Sequence, residues 1–179
     1  MIPYFLLVGI PILLCLISNK YRITLKGRTL IETQTASIDV FMLFFLLLLA
    51  FRNVRCGTDT KQYLRVFGEY ASISYADIFA KYDYEYGYKL LNKLVSSFGG
   101  DFQMLLTVSA LISVVPLWCL YKKESENQLL TIALFVAVAP FMMYFSGICQ
   151  AIAMAIGIPA WYAARERKPI HFLIWVLFA

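Results

Sequence analysis

Apolar residues in this chain run in long, nearly unbroken blocks: Ile2 to Ile17, Ala36 to Phe51, Phe102 to Tyr121, Leu129 to Phe145 and Gly147 to Ala164. An α-helix rises about 1.5 Å per residue, so a hydrocarbon core of about 30 Å takes roughly 17 to 25 residues to cross. Interfacial neighbours such as Ser18 and Gln34 bring the shorter blocks to that length. Lipid offers no water to unpaired amides, so such blocks cross as helices. Only 15% of the residues are charged and the mean hydropathy is +0.70. A soluble domain carries about a quarter charged, which excludes a water-soluble globule.

The expected fold is an all-α polytopic membrane protein, a single integral membrane domain over residues 1–179. Five transmembrane helices fall at about 2–18, 34–51, 102–121, 129–145 and 147–164, and residues 170–179 start a sixth. That last block reaches only about 15 Å. A helix end in mid-bilayer leaves carbonyls unpaired, so the chain reads as an N-terminal fragment or a truncated product.

Sixteen Lys and Arg stand against eleven acids. Their positions point to topology rather than to nucleic acid. Lys20, Arg22, Lys26 and Arg28 follow the first span, Lys122 and Lys123 the third, and Arg165, Arg167 and Lys168 the fifth. Positive loops face the cytoplasm, so the N-terminus and the connection 52–101 are expected on the extracytoplasmic side of a multi-pass protein. No basic residue precedes the first block and no small-residue cleavage site follows it, which favours an uncleaved span. The four cysteines show no CxxC spacing, and no metal site is indicated.

The 52–101 loop is the informative part, holding seven of the twelve tyrosines. Long loops of this kind carry function. Three stretches repeat apolar or aromatic residues at helical spacing: Tyr63, Val66, Phe67, Tyr70; Tyr75, Ile78, Phe79, Tyr82; and Leu91, Leu94, Val95, Phe98. Each predicts a short amphipathic helix. Ser74 with Asp77 forms a capping box at the start of the second, and Gly99 with Gly100 closes the third. Tyrosine-rich faces suit the membrane interface; the alternative is a lid packed over the bundle.

Polar groups gather where the second span leaves the membrane. Arg52 and Arg55 present guanidinium forks suited to phosphate, Gly57 allows close backbone approach, and Thr58 or Asp59 can cap the helix that carries Tyr63. Arg52 could equally be a snorkelling anchor. Asp83, Glu85, Gly87 and Tyr88 form a second cluster, in which either acid could serve as a base. Glu85 could instead pair with Lys89 one turn on. The third cluster is Cys149 and Gln150 after Phe145, Ser146 and Gly147. Below the interface Gln150 would need a polar partner or a water-lined cavity. His171 reads as interfacial.

The order Arg52, four residues, Gly57, Thr58, Asp59, three residues, Tyr63, then Glu85, Gly87, Tyr88 and the Gly-Ile-x-Gln step at Gly147, resembles the EpsG family of Wzy-like polymerases of exopolysaccharide, capsule and O-antigen. The likeness covers essentially the whole chain. It implies a glycosyltransferase-type polymerase in the bacterial cytoplasmic membrane. The implied substrates are oligosaccharide repeat units on undecaprenyl pyrophosphate, joined at the outer face. Expected partners are that glycan carrier, the lipid bilayer, and other assembly proteins such as a flippase and a chain-length regulator, with no nucleic acid. On this reading Arg52 and Arg55 hold the pyrophosphate, and Asp59 or Glu85 takes the proton from the acceptor hydroxyl. Gly57, Thr58, Tyr63, Tyr88 and Gln150 complete the substrate-binding set. Pyrophosphate already leaves well, so the chemistry needs neither metal nor cofactor in principle.

Two departures bear on activity. The family usually carries arginine where Cys149 stands, and its members continue through further spans. Rival functions are a transporter of the lipid-linked unit and a non-catalytic or truncated component of polysaccharide assembly.

Overall fold

The computed structural model describes residues 9, 24–25, 28–29, 33–80, 84–138 and 140–178. The expected span 2–18, except Gly9, and the acid Asp83 lie outside the described residues. Apart from a small antiparallel hairpin, β1 (Thr24–Leu25) with β2 (Arg28–Thr29), the described elements are helices. The second block forms α1 (Thr33–Ala50), and the 52–101 loop forms α2 (Thr60–Ser72), α3 (Tyr75–Ala80) and α4 (Tyr86–Ser97). The third block is α5 (Phe102–Glu124), opened by Asp101, whose side chain accepts from the Met104 N–H at 2.9 Å. Among the described residues α5 is the one helix long and apolar enough to cross a membrane; the apolar part of α1, Ser37–Ala50, and the last helix are shorter.

The expected span at 129–145 is not one helix. It divides into α6 (Gln128–Ala137) and α7 (Pro140–Ser146), with Val138 extended between them. Pro140 has no N–H to give the preceding turn. Pro116 in α5 and Pro159 in α8 (Ile148–Arg165) sit inside continuous helices. The chain closes with α9 (Pro169–Phe178). The break at Pro140 is packed shut by rings. Phe45 of α1 meets Phe135, Phe141, Tyr144 and Phe145 with centroids 5.2 to 6.0 Å apart. Aromatic pairs of this kind add about 0.5 to 1.5 kcal/mol each beyond area burial.

Small residues bring α5 and α8 together: Ala110 of α5, and Ala151 and Ala155 of α8, are buried. At the basic-loop end, Asp39 of α1 accepts from the Trp118 indole at 2.6 Å and pairs with Lys122 at 3.1 Å, tying α1 to α5. Glu124 pairs with Arg165 at 2.7 Å and joins α5 to α8.

The loop helices form a lid packed on one another and on the start of α5. On α2 the apolar set read from the sequence is the buried set: Tyr63, Val66, Phe67 and Tyr70 pack against α4 and the start of α5. The Tyr63 and Tyr70 rings therefore meet protein, while Tyr75 and Tyr86 are exposed. The capping box is present, with Ser74 Oγ donating to Asp77 at 2.7 Å. Gly99, at φ +73, and Gly100 close α4 as expected, the Gly100 N–H reaching Val95 O at 2.9 Å.

The face of α4 differs from expectation. Phe98 is 80% exposed and Leu94 is exposed, while Tyr88, Lys89, Asn92 and Val95 are buried. Tyr88, Asn92 and Val95 also repeat at helical spacing, and the Tyr88 ring fills the space beside Tyr63. Lys93 reaches back to the end of α2 and donates to the carbonyls of Ile73 at 2.6 Å and Ala71 at 3.3 Å.

Candidate functional site

The segment after α1 builds the site. Gln103 Nε2 donates to the Ala50 carbonyl, one of the acceptors a helix end leaves open. Arg52 then turns inward. It is 7% exposed, and its Nη1 donates to the Tyr144 carbonyl at 2.8 Å, 92 residues away in sequence. A cavity of about 10 Å³ beside it is lined by Ser109, Ser113 and Tyr144. Arg52 is therefore a buried clasp on α7 rather than a snorkelling rim residue. Arg55 is exposed, its backbone N–H held by the Asn53 side chain at 3.0 Å.

Gly57 takes φ +92, and a Cβ there would collide with the Phe145 carbonyl oxygen and lie 2.7 Å from Thr60 Oγ1. The close approach that the glycine allows is thus to the protein's own backbone. Beside it the Thr58 N–H donates to Ser146 Oγ at 3.4 Å. Thr60 Oγ1 donates back to Cys56 O at 2.6 Å and shapes the turn. Asp59 occupies the N-cap position of α2 but makes no side-chain cap bond. Its carboxylate is exposed.

The second and third clusters meet this turn. The Cys149 thiol, in the first turn of α8, interacts with both the Tyr63 phenol and the Glu85 carboxyl. Glu85 is exposed at the N-cap of α4 and likewise makes no cap bond. The Lys89 ammonium lies 5.3 Å over the Tyr86 ring. Tyr63, Tyr84 and Tyr88 pack ring against ring with centroids 5.5 to 6.0 Å apart. Gln62 donates to the Tyr84 hydroxyl at 2.9 Å. Burial holds the Tyr63 and Tyr88 phenols well above their usual range, so both stay neutral. Asn92, one turn beyond Tyr88, is fully buried with its Oδ1 lacking a partner among the described residues. A dry orphan acceptor costs about 1 to 3 kcal/mol, so this atom marks a place for water or a ligand hydroxyl.

Gln150 is exposed, not buried, and lies close over Gly147, where a Cβ would strike its Oε1. Gly87 has open space around it. Among the described residues no three His, Cys, Asp or Glu side chains gather as metal ligands.

The three sequence clusters therefore meet along one edge of the lid: the 52–63 turn on the 145–147 step, and Cys149 joining Tyr63 to Glu85. Sequence reading missed Tyr84 and Asn92 as supporting groups, and named Ser146 without its contact to Thr58. Ser146 lies 88 residues from Thr58, and no local pattern signals such a contact.

An apolar helical bundle carrying one helix long and apolar enough to cross a membrane, with an aromatic, carboxylate-edged lid, fits the class of membrane proteins. The EpsG family model matches residues 37–179, from α1 through the last helix, and the chain belongs to the EpsG family. Membership makes it a membrane protein of polysaccharide biosynthesis. No curated protein and no solved structure gave a match.

Proposed function

We propose that the chain carries the site of a polymerase that joins undecaprenyl-pyrophosphate-linked repeat units at the outer face of the bacterial cytoplasmic membrane. The convergence of the 52–63 turn, the 84–88 segment and the 145–150 step carries this reading. On this reading the chain is one multi-pass domain with the N-terminus and the lid on the extracytoplasmic side. The broken fourth span contributes α6 and α7 to a single crossing.

In this mechanism Arg55 contacts the pyrophosphate, and Arg52 positions the α7–α8 step from behind. Asp59 or Glu85 accepts the proton of the acceptor hydroxyl as its oxygen bonds to the anomeric carbon. The bond from that carbon to the phosphate oxygen breaks, and the electron pair leaves on the pyrophosphate, whose charge Arg55 offsets. Tyr63, Tyr84 and Tyr88 give sugar rings an apolar wall, and the Asn92 acceptor takes a sugar hydroxyl or a water. Thr58 and Gln150 lie at the mouth, with Gly57 locking the turn in place.

The test uses the full chain as encoded, carrying Asp59→Asn, Glu85→Gln or Arg55→Ala, with polymer length read on a gel. A general base contributes about 10² to 10⁴ in rate, so loss of the base ends long polymer while thermal stability holds. Wild-type polymer from both carboxylate variants refutes the assignment.

A further inference from the structure

A groove of about 410 Å³ opens between α5, α8 and α9, away from the lid. Its two ends differ in chemistry. Toward the basic loops it is lined by Lys123, Tyr162, Lys168 and His171, with Glu166 its acid. Deeper in, the walls are Pro116, Leu120, Ile158 and Trp175. Pro116 to Lys123 on α5 covers about 10 Å by helical rise, so charge and apolar surface follow one another along one groove. The α9 wall has no buried residue, and its Ile170, Leu173 and Leu177 are exposed.

The charges around the basic end are mostly matched. Lys168 pairs with Glu166 at 2.7 Å, Arg165 with Glu124 at 2.7 Å and Lys122 with Asp39 at 3.1 Å. Lys123 is placed differently. Among the described residues its ammonium lies 4.4 Å over the Tyr162 ring, and Glu124 and Glu166 feel its charge without forming an ion pair with it. A ring below an ammonium satisfies its charge in part and leaves N–H donors open to a further partner at the groove that Lys123 lines.

We propose that this groove binds one anionic phospholipid of the leaflet bordering the basic loops. The phosphate sits at Lys123, with Lys168 and His171 at the rim, and the first acyl methylenes lie against Leu120, Ile158 and Trp175. A free phosphate would meet the ammonium but leave the apolar floor wet. A packed apolar helix would cover the floor but desolvate Lys123. A phospholipid satisfies both ends, and basic pockets between membrane helices on the cytoplasmic side are where acidic headgroups bind. This inference rests on the chain lying in a membrane, not on the polymerase chemistry.

The test reconstitutes the full chain with spin-labelled phosphatidylglycerol or phosphatidylcholine and reads the motionally restricted lipid by electron spin resonance. The expected result is about a fivefold preference for phosphatidylglycerol, the contribution of one basic residue near the surface. Lys123→Gln abolishes it, Lys123→Arg keeps it, and Lys61→Gln in the lid leaves it unchanged. Circular dichroism checks that each variant is folded. Equal association of the two lipids, a preference that survives Lys123→Gln, or its loss on adding millimolar inorganic phosphate would each overturn the proposal.

Discussion

Gly57→Ala tests whether the turn after α1 is docked on the α7–α8 step. Two separate penalties arise. A side chain at φ +92 is strained by about 1 to 3 kcal/mol. The new methyl also strikes the Phe145 carbonyl oxygen, which belongs to backbone and cannot swing away; forcing such a contact costs about 1 to 3 kcal/mol more. The sum is about 2 to 6 kcal/mol. Gly99→Ala is the internal control, since Gly99 has φ +73 but nothing within 4 Å of an added Cβ, and so carries only the left-handed penalty of about 1 to 2 kcal/mol. The assay is thermal unfolding in detergent micelles. At about 2 to 4 °C per kcal/mol for a chain of this size, Gly57→Ala lowers the midpoint by roughly 10 °C and Gly99→Ala by roughly 4 °C. Equal shifts for the two variants would refute the docking, and with it the contact between the first and third clusters.

Two further expectations concern the lid. Lys93→Met removes the ammonium that holds the Ala71 and Ile73 carbonyls, a loss of about 1.5 to 3 kcal/mol for hydrogen bonds to a charged donor, and hydrogen exchange at the end of α2 should rise accordingly while α5 stays protected. The Tyr63 and Tyr88 phenols, raised by burial, contribute stability that is fully present below the unfolded value of about 10 and is lost as pH rises beyond it, because the unfolded chain ionises first. The midpoint measured against pH should fall above that value, and the double variant Tyr63→Phe, Tyr88→Phe should flatten the fall.

Local patterns in the sequence determined much of the chain. Hydrophobic blocks placed α1, α5 and α8, the spacing of Tyr63, Val66, Phe67 and Tyr70 named the buried face of α2, and Ser74 with Asp77 fixed the start of α3. Each depends on residues within a turn or two, where backbone geometry forces the outcome. The tertiary structure decided what depends on distant partners. Both Val95-centred faces of α4 were helical in period, and only the Tyr63 ring across the lid selected the one with Tyr88 and Asn92. Among the described residues Pro116, Pro140 and Pro159 lie in apolar blocks, yet of these only Pro140 divides its helix, where rings from α1 fill the break. Arg52 reads as a rim cation by position, but the Tyr144 carbonyl draws it inward. These choices turn on contacts between residues 25 to 96 apart in sequence, whose energies exist only after the helices have packed.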